Sequence, residues 1–188
     1  LILVSGSCNV HTGIGDPYLP FREILEMLTG DVEGRWAAGA ISTNHARRLW
    51  QSLLISAEAV VDQGPDLVNT FVHGPALSER VAASVTAEDG WPVRLEKLAG
   101  QRGETTVSPV TRQSDFFEQY SRALQSISRR LPLVLLIDDL QWADPGSISL
   151  LFHLGRQVAG CRVLILGAYR PEEIALGRDG ERHPLEPL

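Results

Sequence analysis

The sequence predicts an α/β domain built on a parallel sheet. The strongest evidence for this fold class lies in the last third of the chain. Residues 133–137 and 163–168 are uninterrupted apolar runs, as expected of strands that are buried on both faces of a sheet. Between them lies a helical pattern that Asp144 and Pro145 open and Gly160 closes. A strand–helix–strand unit of this length joins two parallel strands through a right-handed crossover.

The first part of the chain predicts a strand, a loop and a helix. Residues 1–4 form a short apolar run, and residues 5–15 form a glycine-rich loop. Asp16 is placed to cap the helix that follows. Gly30 ends this helix, whose apolar positions recur at helical spacing: Phe21, Ile24, Leu25 and Leu28.

The middle of the chain predicts further helices. The pattern indicates one helix at 42–61, whereas the polar, unpatterned residues 101–112 are typical of an exposed loop. A strong helix then starts with Ser114 as its N-cap and carries four large side chains on one face: Phe117, Tyr120, Leu124 and Ile127. We expect the region 30–112 to be a helical insertion in the sheet domain.

Composition and charge narrow the function classes. The apolar fraction of 44% and charged fraction of 21% are those of an ordinary globular domain. The net charge of −6 argues against a dedicated nucleic-acid surface, which needs clustered cations. The longest apolar runs are too short to span a bilayer. Cys8 and Cys161 lack metal-ligand or disulfide spacing, and two reduced thiols indicate a cytoplasmic protein.

The candidate metal-binding and catalytic acids lie in residues 133–147, the segment LVLLIDDLQWADPGS. Its apolar strand ends in Asp138 and Asp139, and ligands of open α/β sheets bind at such carboxyl ends. Mg²⁺ needs only one or two carboxylates when waters and substrate phosphates complete its shell. A second acid beside the metal ligand can orient or deprotonate an attacking water.

The same segment resembles the Walker B motif of the AAA-like signal-transduction ATPases, called the STAND class. In that class a hydrophobic strand runs into two aspartates, then a tryptophan and another aspartate, as LLIDDLQWAD does here. The segments GAYRPEE and DPYLPFREIL are also similar to this class, so the resemblance covers the whole chain, most strongly residues 1–28 and 114–184. Residues 133–170 correspond to the Walker B strand–helix–strand unit. Origin-recognition-complex-like ATPase modules of large bacterial regulators are similar.

The resemblance implies a three-layer P-loop NTPase-like fold, in which this chain holds the second, third and fourth of five core strands. It also implies an ATP-driven regulatory switch in signal transduction or transcription regulation, with Mg²⁺ and ATP as cofactors. By position, Asp138 would hold Mg²⁺ through water, Asp139 would polarise the attacking water, and Arg170 would sense the γ-phosphate. Trp142 and Asp144 match the motif without a firm chemical role, and core or groove packing for Trp142 and a helix N-cap for Asp144 account for them better.

The phosphate-cradling P-loop is missing from the sequence. That loop requires G-x-x-x-x-G-K-S/T, in which glycine amides surround the phosphates and the lysine contacts them. Lys97 is the only lysine, and Leu98 follows it. The loop at 5–15 has no lysine, and Asp16 would repel a phosphate. Because the chain also starts and stops without terminal signals, we expect residues 1–188 to be an incomplete AAA-like domain with an incomplete sheet.

Two other functions stay open from the sequence alone. The chain fits a non-catalytic interaction or scaffolding module that has kept the fold and lost the site. It fits less well a different magnesium-dependent hydrolase, because the other strands end in Gly6 and Arg170 rather than in acids. The expected partners are ATP, other domains of the same polypeptide and a second copy of the chain, with no membrane or nucleic acid bound directly.

Overall fold

The computed structural model describes residues 1–9, 17–84, 90–101, 109–176 and 185, without the side chains of 109–112, 175 and 176. Two 3-10 turns, Pro65–Leu67 and Leu140–Trp142, accompany the regular elements. In chain order these elements are β1 (Ile2–Ser7), α1 (Leu19–Leu28), α2 (Glu33–Ala37), α3 (Thr43–Gln63), α4 (Gly74–Ala82), α5 (Gly90–Gly100), α6 (Pro109–Arg130), β2 (Leu133–Asp138), α7 (Pro145–Gln157), β3 (Val163–Gly167) and α8 (Pro171–Leu176).

The described strands form one parallel sheet in the order β1–β2–β3, with β2 at its centre. Val4 lies opposite Leu135, which in turn lies opposite Ile165. The predicted α/β class is therefore confirmed. The first strand is longer than the apolar run 1–4 predicts, because the small residues 5–7 continue the pairing with β2 as far as Asp138.

One face of the sheet is buried and the other is open. The strand order advances in a single direction, so right-handed crossovers bring the connecting helices to the same face. On that face Val4, Leu135 and Ile137 are fully buried, whereas on the opposite face Leu164 and Leu166 are 53% and 44% exposed. The described helices thus supply one outer layer of the expected three-layer sandwich.

Helix α1 packs directly on β1. Gly6 allows the closest approach, because a Cβ at this position would lie only 2.0 Å from the carbonyl oxygen of Pro20. The predicted apolar face of α1 is buried, and Gly30, at a φ of 78°, follows its C-cap. The predicted cap is wrong, since Tyr18 holds the N-cap position of α1. Asp16 and most of the predicted loop lie outside the described residues.

Helices α3 and α6 pack against each other. Ser42 caps α3 by accepting a hydrogen bond from the backbone N–H of His45 at 3.3 Å, which confirms the helix predicted at 42–61. The predicted start of α6 is wrong: the helix begins at Pro109, so Ser114 lies inside it and 109–112 are not loop. The predicted apolar face of α6 is buried, and Tyr120 donates from its hydroxyl to the carbonyl of Phe21 at 2.9 Å.

Helices α2 to α5 occupy the stretch predicted as an insertion. Helices α4 and α5 form a pair that contacts α3, and the Arg94 guanidinium of α5 pairs with Asp62 of α3. The boundaries of this insertion, 30–112, stay a prediction, although α6 already begins at Pro109. No helix in the described ranges combines the length and apolar character that a membrane span requires.

The two edges of the sheet differ. Side chains cover the outer edge of β1: Ser7 donates its backbone N–H to the Glu23 carboxylate at 2.8 Å, and Nε2 of His45 lies 2.7 Å from the Leu3 carbonyl oxygen. Beyond β3, the described part of the chain provides no further strand. Alternate residues of β3 face β2, so the backbone groups of residues 163, 165 and 167 point outward.

Candidate functional site

The parallel register brings the carboxyl ends of all three strands to one edge of the sheet. Ser7 pairs with Asp138, and Ile137 pairs with Gly167. The chain leaves these strands toward Cys8, Asp139 and Arg170 respectively. This carboxyl edge is where open α/β sheets bind their ligands, and it contains every residue that the sequence predicts for the site.

Asp138 is the last residue of the central strand and has an exposed side chain. Strand alternation places it on the open face of the sheet, in line with Leu136. Its carbonyl oxygen accepts from the Cys8 N–H at 3.0 Å, which joins the tips of β1 and β2. One carboxylate oxygen accepts from the backbone N–H of Asp139 at 2.9 Å. An exposed carboxylate on a fixed backbone is suited to bind a hydrated cation.

Asp139 begins the turn that follows the strand and has a left-handed backbone, with a φ of 54°. Aspartate tolerates this conformation better than most residues because its short polar side chain can bond locally. Oδ1 of Asp139 accepts a hydrogen bond from Nε2 of Gln141 at 2.8 Å. The carboxylate is therefore oriented by a neighbour and is only partly exposed.

Arg170 follows β3 and precedes helix α8. Its backbone N–H donates to Oε1 of Gln141 at 3.2 Å, so it joins the acids through that side chain. Its guanidinium is 67% exposed and lies 3.2 Å from the carboxylate of Glu173. The structure thus brings Arg170 to the same edge as Asp138 and Asp139, while its charge is directed to its own helix.

Asp144 is a helix cap that also joins two helices. One carboxylate oxygen accepts from the N–H of Ser147 at 2.9 Å, which caps α7, and the other accepts from the N–H of Tyr18 at 3.3 Å. Tyr18 packs so closely on Gly146 that a Cβ there would lie 2.8 Å from its ring. The N-cap interpretation of Asp144 is confirmed, and Trp142 packs against the core as expected.

The raised pKa of Cys8 indicates a negative electrostatic potential at this edge. The thiol is buried, and its pKa is raised to about 12, first by burial and then by four nearby carboxylates: Asp144, Asp139, Glu23 and Asp138. Cys8 is therefore protonated at neutral pH and unreactive as a nucleophile. The same accumulation of acids favours a bound cation and disfavours a bare phosphate.

Sequence reasoning missed two residues of this edge, Cys8 and Gln141. The signal for Cys8 was its place directly after a strand, but the length of β1 was underestimated. Gln141 had a weaker signal, as a polar residue among apolar ones after two acids, and its 2% exposure depends on packing that the sequence does not display.

A parallel α/β sheet with two acids at the tip of its central strand has the geometry of an open α/β ligand site, and its carboxylates suit a hydrated divalent cation. A family model described as "AAA ATPase domain" matches residues 2–166. The chain therefore belongs to the AAA ATPase domain family, which indicates an ATPase-type function with nucleotide binding. Neither the curated proteins nor the solved structures gave a significant match.

The residues present fit Mg²⁺ better than they fit phosphate. Among the described residues, no group of three or more His, Cys, Asp or Glu side chains is arranged to hold a metal, but Mg²⁺ bound through water requires only one or two carboxylates. Asp138 offers an exposed carboxylate in a negative environment. A phosphate would instead meet the Asp144 carboxylate at the N-terminus of α7, which that side chain already caps.

Proposed function

We propose that this chain is part of an ATP-hydrolysing regulatory switch domain and contributes its magnesium and water-activating edge. Asp138 holds Mg²⁺ through water, Asp139 polarises the attacking water, and Arg170 senses the γ-phosphate. The observation that carries the proposal is the pair Asp138–Asp139 at the tip of the central parallel strand, in a chain of the AAA ATPase family. The cytoplasm is the proposed location.

The phosphate cradle, in this proposal, comes from a segment upstream of Leu1 that carries G-x-x-x-x-G-K-S/T. Two observations support it: the chain has a single lysine, outside any such motif, and β3 has an outward edge where another strand can pair. The glycine amides and lysine of the motif would bind the β- and γ-phosphates. Asp138 would hold Mg²⁺ through water, and the ion would supply positive charge that offsets the charge of the phosphates.

Asp138→Asn tests the metal assignment in the polypeptide that includes the P-loop. We expect the magnesium-dependent part of the ATP affinity to fall about ten- to hundredfold, the scale of one charge-assisted contact. Calorimetric ATP titrations with and without Mg²⁺ measure this change. Glu58→Gln is the control, because Glu58 pairs with Arg130 near the opposite edge of the sheet at 2.8 Å. Equal magnesium dependence in Asp138→Asn and in the wild type would contradict the assignment.

A second candidate function is a non-catalytic interaction or scaffolding module. It is favoured by the guanidinium of Arg170, which is directed to Glu173, and by the missing lysine. This candidate predicts no magnesium-dependent ATP binding even in the longer polypeptide, so the same titration separates the two functions.

A further inference from the structure

Gln141 connects the two residues to which the proposed function assigns the chemistry of hydrolysis. Its side chain is 2% exposed and is held in the 3-10 turn Leu140–Trp142 that follows β2. Nε2 donates to Oδ1 of Asp139 at 2.8 Å, and Oε1 accepts from the N–H of Arg170 at 3.2 Å. One buried amide thus joins the end of β2 to the end of β3.

Only a primary amide of this length can make both contacts. A carboxylate would keep the bond to the Arg170 N–H but would place a second negative charge against Asp139. An apolar side chain would leave a partly buried donor and a partly buried acceptor without this partner, and an unmade hydrogen bond costs more than the net energy of a satisfied one.

The surrounding backbone makes the connection stiff. Leu140 donates to the carbonyl of Ala168 at 2.9 Å, and Ala168 donates to the carbonyl of Ile137 at 2.9 Å. The backbone of Ala168, two residues before Arg170, is therefore held against the turn, whereas the exposed guanidinium of Arg170 pairs with Glu173 among the described residues. Such exposed pairs are weak, so the guanidinium can exchange Glu173 for a phosphate while its backbone stays in place.

We propose that Gln141 is a positioning residue, which holds the Asp139 carboxylate in register with the backbone of Arg170 so that the acid and the arginine act as one unit. This inference rests on the function proposed above and adds the residue that couples its two catalytic groups. It predicts that a displacement of the β3 end, where the proposed function has Arg170 contact the γ-phosphate, reorients the acid at the end of β2.

Two substitutions distinguish the hydrogen bond from Gln141 to Asp139 from the hydrogen bond between Gln141 and the Arg170 N–H. Gln141→Met removes both bonds, and we expect kcat to fall at least about tenfold with the KM for ATP nearly unchanged. Gln141→Glu replaces the donor to Asp139 with a negative charge, so kcat falls while the Arg170 N–H stays bonded. Amide hydrogen exchange of Arg170, in the polypeptide that contains the P-loop, measures the bond between Gln141 and the Arg170 N–H: about tenfold faster in Gln141→Met and unchanged in Gln141→Glu.

Gln119→Met is the matched control. Gln119 makes the same two kinds of hydrogen bond at a more exposed place and to a single residue, donating to the Asp66 carboxylate at 2.7 Å and accepting from the Asp66 N–H at 3.0 Å. This control should match the wild type in kcat and in the exchange of the Arg170 amide. A loss in Gln119→Met equal to that in Gln141→Met would overturn the inference, because the effect would then be general destabilisation.

A double-mutant cycle gives a result that a merely structural role does not produce. If Gln141 acts through Asp139, Gln141→Met causes no further loss of kcat in an Asp139→Asn background. Additive losses, or wild-type turnover in Gln141→Met beside a strong loss in Asp139→Asn, overturn the inference and leave the proposed function intact. Wild-type turnover in Asp139→Asn overturns the proposed function itself. Unchanged exchange of the Arg170 amide in Gln141→Met overturns the inference whatever the activity.

Discussion

Asp139→Asn is expected to slow ATP turnover by about 10²- to 10⁴-fold in the polypeptide that contains the P-loop, the usual contribution of a positioned general base. Asparagine keeps the oxygen that accepts from Gln141 at 2.8 Å, so the turn should keep its shape. It loses the negative charge and the basicity that polarise the attacking water. ATP affinity should stay within a fewfold of the wild type, because the cradle is untouched.

Single-turnover kinetics at saturating ATP measure this effect separately from binding. Glu58→Gln, at the opposite end of the sheet, removes a carboxylate charge without approaching the acids and should turn over ATP normally. Hydrolysis by Asp139→Asn at the wild-type rate would show that Asp139 does not activate the water.

The second large effect is self-association of the chain in solution, which we expect from the open edge of β3. The segment VLILG has no charge and no proline, its backbone groups at 163, 165 and 167 point outward, and Leu164 and Leu166 are half exposed. An uncharged edge of this kind templates pairing with other chains. We expect the 188-residue chain alone to form ill-defined oligomers, and extension through the P-loop strand to restore a single species.

Size-exclusion chromatography with light scattering measures this association, and two substitutions locate it. Leu166→Lys places a charge on the open edge strand and should reduce self-association. Leu3→Lys places the same charge on the same face at β1, whose edge Glu23 and His45 already cover, and should have little effect. Equal rescue would assign the association to the open face. A monodisperse, cooperatively folding monomer of the unmodified chain would contradict the open-edge account.

The parts of the fold that were predictable depend on local pattern. β2 and β3 are apolar runs. α7 has an N-cap, a proline in its first turn and periodic leucines. Each of these elements can therefore be predicted from a few neighbouring residues. The acids follow directly from the place where β2 ends. Sequence reasoning therefore identified the central strand, its crossover and the position of Asp138 and Asp139.

The incorrect predictions arise where contacts between residues far apart in the sequence override the local preference for a strand, a loop or a helix. β1 continues through a serine, a glycine and a serine because they pair with β2 and because α1 packs on Gly6, and neither contact is visible in the local pattern. Helix α6 begins at Pro109, a residue that is well suited to the first turn of a helix but stands in a polar stretch. Gln141 is buried where its side chain accepts from the Arg170 N–H, a contact between residues 29 positions apart that the local pattern does not display.

The central claim is that this chain supplies the acidic edge of an ATP site and lacks the phosphate cradle. Calorimetric titration of Mg²⁺-ATP into residues 1–188, and into the same chain extended upstream through G-x-x-x-x-G-K-S/T, tests it most directly. We predict millimolar or weaker binding to the 188-residue chain and micromolar binding to the extended one, a difference of about 4 kcal/mol. Micromolar ATP binding to residues 1–188 alone would contradict the claim, as would the absence of binding in the extended polypeptide.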